Sequence, residues 1–304
     1  MNEVTLPKTN VYKVPSSEEL ISFITSNSYA MQQKLDGRRM IAVKQQRGGG
    51  NVTAYGKDHQ LFIPPQHVIN SLQMLPDEPW LLDGELCKDG YHIFDLIEAP
   101  KPEVKSKSFD DRYLMLKAML NVWDATNVYT VPTWYDPKEK FFSLIRLRDM
   151  QAEGVVFRPR QYSAHFHGAV YKYKFYNTVD CIVLNKRVEG RRTIEIAVLD
   201  NQDYHYLGNV KCEFDVQDQM TVDQVVEVRY RKISKSGKLI EPVFVRLRWN
   251  KPAYRCTSEQ ILTVPDATVL TNTRHDTALI RAAEILGIEW EDALQLIDNT
   301  ADDE

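Results

Sequence analysis

Tyr29-Ala30-Met31-Gln32-Gln33-Lys34-Leu35-Asp36-Gly37-Arg38-Arg39-Met40-Ile41-Ala42-Val43 is the stretch on which the reading of this chain turns. Apolar runs lie on both sides of a short charged segment that contains a glycine, the pattern of two strands joined by a tight turn. Charged turns are common, so six residues alone decide nothing. Their weight comes from what surrounds them.

Ahead of the stretch, Ser16 and Glu19 have capping-box spacing, and Leu20, Ile21, Phe23 and Ile24 give the following helix an apolar face. Residues 29–96 read as strands punctuated by turns: Met40–Val43, a turn at Gly48-Gly49-Gly50-Asn51, then Val52–Tyr55. Trp80–Leu82 and Tyr91–Phe94 flank Lys88-Asp89-Gly90 as a hairpin. Ser108 is placed to cap a helix over Phe109–Trp123, with Leu114, Leu116, Met119 and Leu120 expected inside. Asp136-Pro137 starts another helix, carrying Phe141, Leu144 and Ile145. Five short strands follow: 181–186, 193–199, 204–211, 225–233 and 243–249, the density expected of a small barrel. The end of the chain predicts a helix over Ala278–Leu286, stopped by Gly287, and a shorter one over Trp290–Ile297.

Composition narrows the function classes. The 304 residues are 43% hydrophobic and 26% charged, ordinary for a globular protein, and hold no apolar run long enough to span a bilayer. No secretion-type leader is visible at the N-terminus, so an intracellular, cytoplasmic location is expected, including that of a viral protein acting in a host cell. Cys87, Cys181, Cys212 and Cys256 lie far apart without a Cys-x-x-Cys pair, which argues against a zinc site and a disulfide framework. Net charge is only −4, but it is unevenly spread. Arg229, Arg231, Lys232, Lys235, Lys238, Arg246, Arg248 and Lys251 cluster against one acid, Glu241, while the last residues are acidic. Such a block suits a polyanion-facing surface, or simply a solvated strand pair.

Further signals recur in order between positions 34 and 251: Asp83-Gly84-Glu85, Phe94-Asp95, Glu153-Gly154-Val155-Val156, Lys172-Tyr173-Lys174 with Asp180, and Glu241-Pro242-Val243-Phe244-Val245-Arg246-Leu247-Arg248-Trp249-Asn250-Lys251. With Lys34-Leu35-Asp36-Gly37-Arg38-Arg39 they resemble, in sequence and order, the motifs of the covalent lysine nucleotidyltransferases, and among these the ATP-dependent DNA ligases. The resemblance implies an α+β fold: an adenylyltransferase (nucleotidyltransferase, ATP-grasp-like) domain of antiparallel sheets with flanking helices over 1–180, an OB-fold barrel over 181–256, and a helical extension over 257–304. The few residues ahead of Lys34 resemble the compact ligases of viruses and some bacteria, which lack a preceding helical DNA-binding domain.

The resemblance also implies a chemistry. Lys34 would be the nucleophile that takes AMP from ATP as a phosphoramidate, with Asp36 in the same catalytic motif. A free lysine, with a pKa of about 10.4, is neutral in only about four molecules in ten thousand at pH 7, so positive neighbours such as Lys172, Lys174, Arg39 or a metal ion would favour the reactive amine. Gln32 would read adenine, Phe94 would stack on it, and Arg39 and Lys57 would hold phosphate oxygens. Gly56-Lys57 stands where the family usually has Ser-Arg, which removes the bidentate fork. Glu85 would bind ribose hydroxyls or a metal-bound water, and Glu153 a divalent cation, magnesium or manganese. Lys172 and Lys174 would clamp the phosphate, and Arg248 and Lys251 would reach the β- and γ-phosphates. Asn250 departs from the family's usual aspartate.

The expected partner is nicked double-stranded DNA, bound by a monomer away from any membrane. A ligase accepting RNA-containing nicks is the nearest rival, though many RNA ligases carry a helical C-terminal domain. A capping guanylyltransferase ranks lower, because the Glu153–Val156 and Lys172–Lys174 wording is closer to DNA ligases. An inactive nucleic-acid-binding module would have no use for Lys34, Asp36, Glu85, Glu153, Lys172 and Lys174 together.

Overall fold

The computed structural model describes residues 6, 12–45, 51–99, 104–123, 126–164, 170–186, 191–262, 274–289 and 292. The chain divides into two compact units, 1–173 with 272–304, and 174–271.

The first unit begins with β1 (Tyr12–Lys13) and α1 (Ser17–Thr25). Ser16 and Glu19 form the reciprocal cap: the Ser16 hydroxyl accepts from the Glu19 N–H at 3.1 Å, and the Glu19 carboxylate accepts from the Ser16 N–H at 2.8 Å. Leu20, Phe23 and Ile24 are buried below it. Then come β2 (Tyr29–Lys34), β3 (Arg38–Lys44), β4 (Val52–Tyr55), β5 (Leu61–Phe62), α2 (Gln66–Gln73), β6 (Trp80–Leu86) and β7 (Tyr91–Glu98). They are followed by α3 (Phe109–Trp123), β8 (Val128–Thr130), β9 (Thr133–Trp134), α4 (Pro137–Asp149), β10 (Gly154–Pro159) and β11 (Val170–Lys174).

These strands make two sheets, β1-β11-β10-β2-β9 and β5-β4-β3-β6-β7-β8. The chain leaves the first sheet at Lys34 and enters the second at Arg38, so the charged turn is the crossover between them. Trp80, Tyr91, Ile93, Phe109 and Leu116 join the second sheet to α2 and α3 in one core. Each such apolar side chain contributes about 1.5–3 kcal/mol on burial. On the first sheet, Lys140 of α4 is buried against α1, donating to the carbonyls of Phe23, Ser26 and Tyr29, so its ammonium caps the C-terminal end of α1. Burial pulls its pKa down to about 8.

In the second unit, β12 (Asn177–Asn185), β13 (Thr193–Asp200) and β14 (Asp203–Lys211) lead to the short α5 (Phe214–Asp218). Then follow β15 (Val225–Tyr230), β16 (Lys232–Ile233), β17 (Leu239–Ile240), β18 (Val243–Leu247) and α6 (Glu259–Leu262). The main sheet has the order β14-β13-β12-β15-β18. Alternate residues face its core: Cys181 and Val183, then Ile194, Ile196 and Val198, then Val226 and Val228. The last helix, α7 (Arg274–Leu286), belongs to the first unit, where it packs on α1 and α4 through Ala278, Leu279, Ala282 and Ala283.

Several sequence expectations need correction. The segment over 29–96 is not all strand: α2 starts after Pro64-Pro65, and with only Val68, Ser71 and Leu72 buried its helical period is too brief to stand out. On α3, Leu114 is 67% exposed, and Arg112 takes a buried position instead. The strand expected over 225–233 breaks at Arg231, whose N–H turns to bond the Ile240 carbonyl at 2.9 Å. The five-stranded sheet has two ends, and among the described residues no ladder joins β14 to β18, so a closed barrel is not observed. The turn at 48–50 lies outside the described residues, as does the helix expected over 290–297 but for Asp292. No helix among the described residues is long and apolar enough to cross a membrane.

The Arg112 guanidinium is fully buried, pairing bidentately with Asp95 at 2.9 and 2.8 Å while donating to the Lys107 and Tyr162 carbonyls. Arg112→Leu leaves the Asp95 carboxylate buried without this partner and should cost about 3–5 kcal/mol in urea unfolding; a loss under about 1 kcal/mol would contradict this placement.

Candidate active site

Two glycines explain why the motifs fold as they do. A Cβ on Gly37 would lie 2.5 Å from the Leu86 carbonyl oxygen, so only glycine lets the turn after Lys34 press against the end of β6. A Cβ on Gly84 would strike the His92 carbonyl and the Tyr91 ring, so glycine is needed where β6 crosses β7. The Lys34–Gly37 turn and the Asp83–Glu85 strand are thus held in direct contact by backbone geometry.

Lys34 closes β2, opposite Gly154 of β10. That register puts Glu153 beside it, and the Lys34 ammonium forms a close ion pair with the Glu153 carboxylate, the two side chains being 16% and 6% exposed. Glu85 approaches from β6. Burial pushes its carboxyl up to about 7; Lys34 pulls that value down, and Glu153 pushes it further up. Lys34 therefore has two carboxylates, Glu153 and Glu85, among its charged neighbours.

Gln32, Gln33, Lys34, Leu35, Glu85, Phe94, Val131, Val156, Arg158 and Lys172 line one pocket that opens to solvent. Five of the residues singled out from the sequence meet here: Gln32, Lys34, Glu85, Phe94 and Lys172. Glu153 joins them through its ion pair with Lys34.

The other expected site residues lie elsewhere or are otherwise engaged. Asp36 is exposed in the crossover turn. Arg39 is committed to a bidentate pair with Asp83, at 3.0 and 2.7 Å, in which burial raises the Asp83 carboxyl pKa against the pull of Arg39. Lys57 is exposed in the turn between β4 and β5, outside the pocket lining. In the second unit, Lys174 pairs with Glu241 at 2.9 Å. There too Asp180 accepts from Arg248 at 3.2 Å and Lys251 at 2.7 Å. Half of the basic block is therefore compensated within its own unit, since Arg246 also bonds Glu227 at 2.7 Å and Arg231 lies 3.3 Å from Glu241. Lys235 and Lys238 remain exposed in the turn between β16 and β17.

One participant was missed. Arg158, five residues after Glu153, is 2% exposed. Its guanidinium lies 4.8 Å from the Phe94 ring centroid, donates to Gln32 Oε1 at 2.6 Å, and reaches the Tyr162 hydroxyl at 3.1 Å. The Gln32 amide nitrogen is in turn occupied, donating to the Phe94 carbonyl at 3.2 Å and Thr133 Oγ1 at 3.0 Å. Both amide protons and one oxygen lone pair are used, leaving one lone pair for a ligand. A buried arginine inside an apolar strand was the one available sequence signal, and its partner is 126 residues away.

No protein-family model matches the chain, and comparison with curated proteins finds no match. Among solved structures it is similar to one from a study described as "DNA binding with a minimal scaffold: Structure-function analysis of Lig E DNA ligases", at 15% identity and a TM-score of 0.58, over 80% of this chain and 100% of that one. It is also similar to Pmar-Lig_Pre, at 20% identity and a TM-score of 0.59, over 81% of this chain and 69% of that one. A third, Pmar-Lig_PreS3, matches at 19% identity with a TM-score of 0.59, over 80% of this chain and 68% of that one. The likeness establishes the fold alone: mixed α/β with mainly antiparallel sheets.

The raised Glu85 value has a measurable consequence. A carboxyl at about 7 in the folded protein, against an ordinary 4.5, binds its proton more tightly when folded. It therefore detracts from stability progressively as pH rises from 4.5 to 7, and fully above that window. With a chelator present, Glu85→Gln should raise the melting temperature at pH 8 and leave it unchanged at pH 4. Equal effects at both values would contradict the assignment.

Proposed function

We propose that the protein is an ATP-dependent DNA ligase that seals nicks carrying a 5′-phosphate and a 3′-hydroxyl, with Lys34 as the carrier of AMP. The observation that carries this reading is the placement of Lys34 at a pocket shared with Glu85, Phe94 and Lys172, beside Glu153. In the first step the Lys34 amine attacks the α-phosphorus of ATP; the new P–N bond forms as pyrophosphate leaves. A nick's 5′-phosphate oxygen then displaces the lysine, forming a DNA-adenylate. The 3′-hydroxyl attacks the nick phosphate in its turn, and AMP departs.

The residues divide that work. Lys172 holds phosphate oxygens as charge develops on them. Phe94 stacks on the base, and Arg158, bonded to Gln32 and packed by Phe94, fixes the orientation of the Gln32 carboxamide. The free lone pair of Gln32 Oε1 then accepts from the 6-amino group of adenine. Guanine offers a carbonyl at that position, and two acceptors face each other, which favours ATP over GTP. Glu85 and Glu153 form a donor set suited to a hard divalent cation, and bound magnesium or manganese supplies neutralising charge at the phosphates. Freeing the Lys34 amine from Glu153 is the chemical requirement of the first step.

For the second unit, residues 181–256 are assigned to an OB-type barrel in the ligase manner, with 1–180 as the adenylyltransferase domain and 257–304 as an extension. Supporting this, Cα atoms of the edge strands β14 and β18 come within 8 Å of each other. Arg248 and Lys251 exchange Asp180 for the β- and γ-phosphates during the first step, and Lys174 exchanges Glu241 for the reacting phosphate. Asp36 and Arg39 belong to the nucleophile motif, and Lys57 reaches the nick phosphate. Nicked duplex DNA is the partner.

With magnesium and labelled nucleotide, denatured protein should retain label from ATP and not from GTP, and DNA–DNA nicks should be sealed. Lys34→Ala should abolish both activities, and Glu153→Ala should reduce sealing by about a hundredfold or more. Sealing by Lys34→Ala at the parent rate would end this reading, and label from GTP alone would replace it with guanylyl transfer. Arg158→Leu should raise the KM for ATP in the first step about tenfold with a smaller fall in kcat, and Arg158→Lys should recover part of it. A fall confined to kcat would remove Arg158 from the base end of the pocket.

A further inference from the structure

The tip of the β6–β7 hairpin carries a second group of donors that the adenylyl chemistry does not use. Cys87, Asp89 and His92 bring a thiol sulfur, a carboxylate oxygen and an imidazole nitrogen within 4.8 Å of one another, the one such group found among the described residues. Strand register explains the convergence. Glu85 pairs across the hairpin with His92, so their side chains leave one face, and Cys87, two residues after Glu85, leaves the same face. The Cys87 N–H bonds the Gly90 carbonyl at 2.8 Å, which closes the turn and holds Asp89 at its tip.

We propose that Cys87, Asp89 and His92 form a site for a thiophilic divalent cation of the zinc class, separate from the hard-cation donors Glu85 and Glu153. The donor types are those zinc takes: thiolate, neutral imidazole and carboxylate, with a fourth position open to water. A tetrahedral site with sulfur at about 2.3 Å and nitrogen or oxygen at about 2.0 Å places its donor atoms about 3.3–3.5 Å apart. His92 Nε2 already lies 3.1 Å from both Asp89 oxygens. The Cys87 sulfur lies within 4.8 Å of a donor atom of each, and the 66%-exposed Asp89 side chain is free of packing that would hold its carboxylate in place. Packing of the His92 ring on Tyr129, with centroids 5.0 Å apart, sets the plane of the imidazole. On binding, the Cys87 thiol releases its proton to solvent as the metal–sulfur bond forms.

The thiol is suited to this in another way. Of the four cysteines, Cys181, Cys212 and Cys256 are buried, and Cys87 alone is half-buried. The site also touches the catalytic turn: the Cys87 sulfur lies 3.0 Å from the Cβ position of Gly37. A cation there adds positive charge next to the turn that follows Lys34. The assignment stands on the hairpin alone and does not depend on the ligase reading.

The test is a titration of the full-length, reduced, chelator-stripped protein with Co²⁺, followed by absorbance. One equivalent should bind with a thiolate-to-cobalt charge-transfer band in the near ultraviolet, and Zn²⁺ should bleach it. Cys87→Ser should lose that band, and His92→Ala should weaken binding about tenfold or more. Circular dichroism of each metal-free variant should match the parent, so that loss of binding is not loss of fold. Cobalt binding without the thiolate band, or a band unchanged in Cys87→Ser, would overturn the proposal.

Discussion

The contact between Lys34 and Glu153 is the interaction on which the rest of this site depends. Both groups are largely withdrawn from water, 16% and 6% exposed, and a buried ion pair seldom repays its desolvation as stability. Its persistence is better explained by use. The strand register that pairs Lys34 with Gly154 fixes the ion pair, and the tight packing of Gly37 against β6 adds Glu85. Two carboxylates around one amine form a poor resting place for a polyphosphate until positive charge arrives. Under the proposed ligase reading, nucleotide and cation would together release the amine.

A second feature of the same kind runs through the second unit. The bases of the 229–251 block read as a polyanion-binding face in sequence, yet Arg231, Arg246, Arg248 and Lys251 each have a carboxylate partner in their own unit. Under the proposed ligase reading, phosphates would have to compete with Asp180, Glu227 and Glu241 for these cations. The arginine of the Arg246–Glu227 pair is 64% exposed, so that pair is worth little in stability, whereas the pairs to Asp180 are part-buried.

Much of this was legible in the chain because the signals were local. The cap at Ser16, the helix bounded by Ser108 and Trp123, the start at Asp136-Pro137 and the hairpin around Asp89-Gly90 are each decided by residues within a few positions. The ordered motifs likewise brought Gln32, Lys34, Glu85, Phe94 and Lys172 to one pocket. What could not be read is set by distant partners. Arg158 is defined by Gln32 and Phe94, Arg39 by Asp83, and Arg112 by Asp95; no periodicity announces such pairs. Leu114 misled because hydrophobicity alone put it inside, while the buried Arg112 on the same helix had a carboxylate to satisfy. Lys57 lies outside the pocket lining because its hairpin turn carries it into solvent.

The most direct measurement is peptide mapping by mass spectrometry after incubation of the folded protein with ATP and magnesium. An adenylate on the peptide containing Lys34, with fragments placing it on that side chain, is the predicted result. An unmodified Lys34 peptide from folded, nucleotide-exposed protein, or an adenylate on another lysine, would contradict the account at its centre.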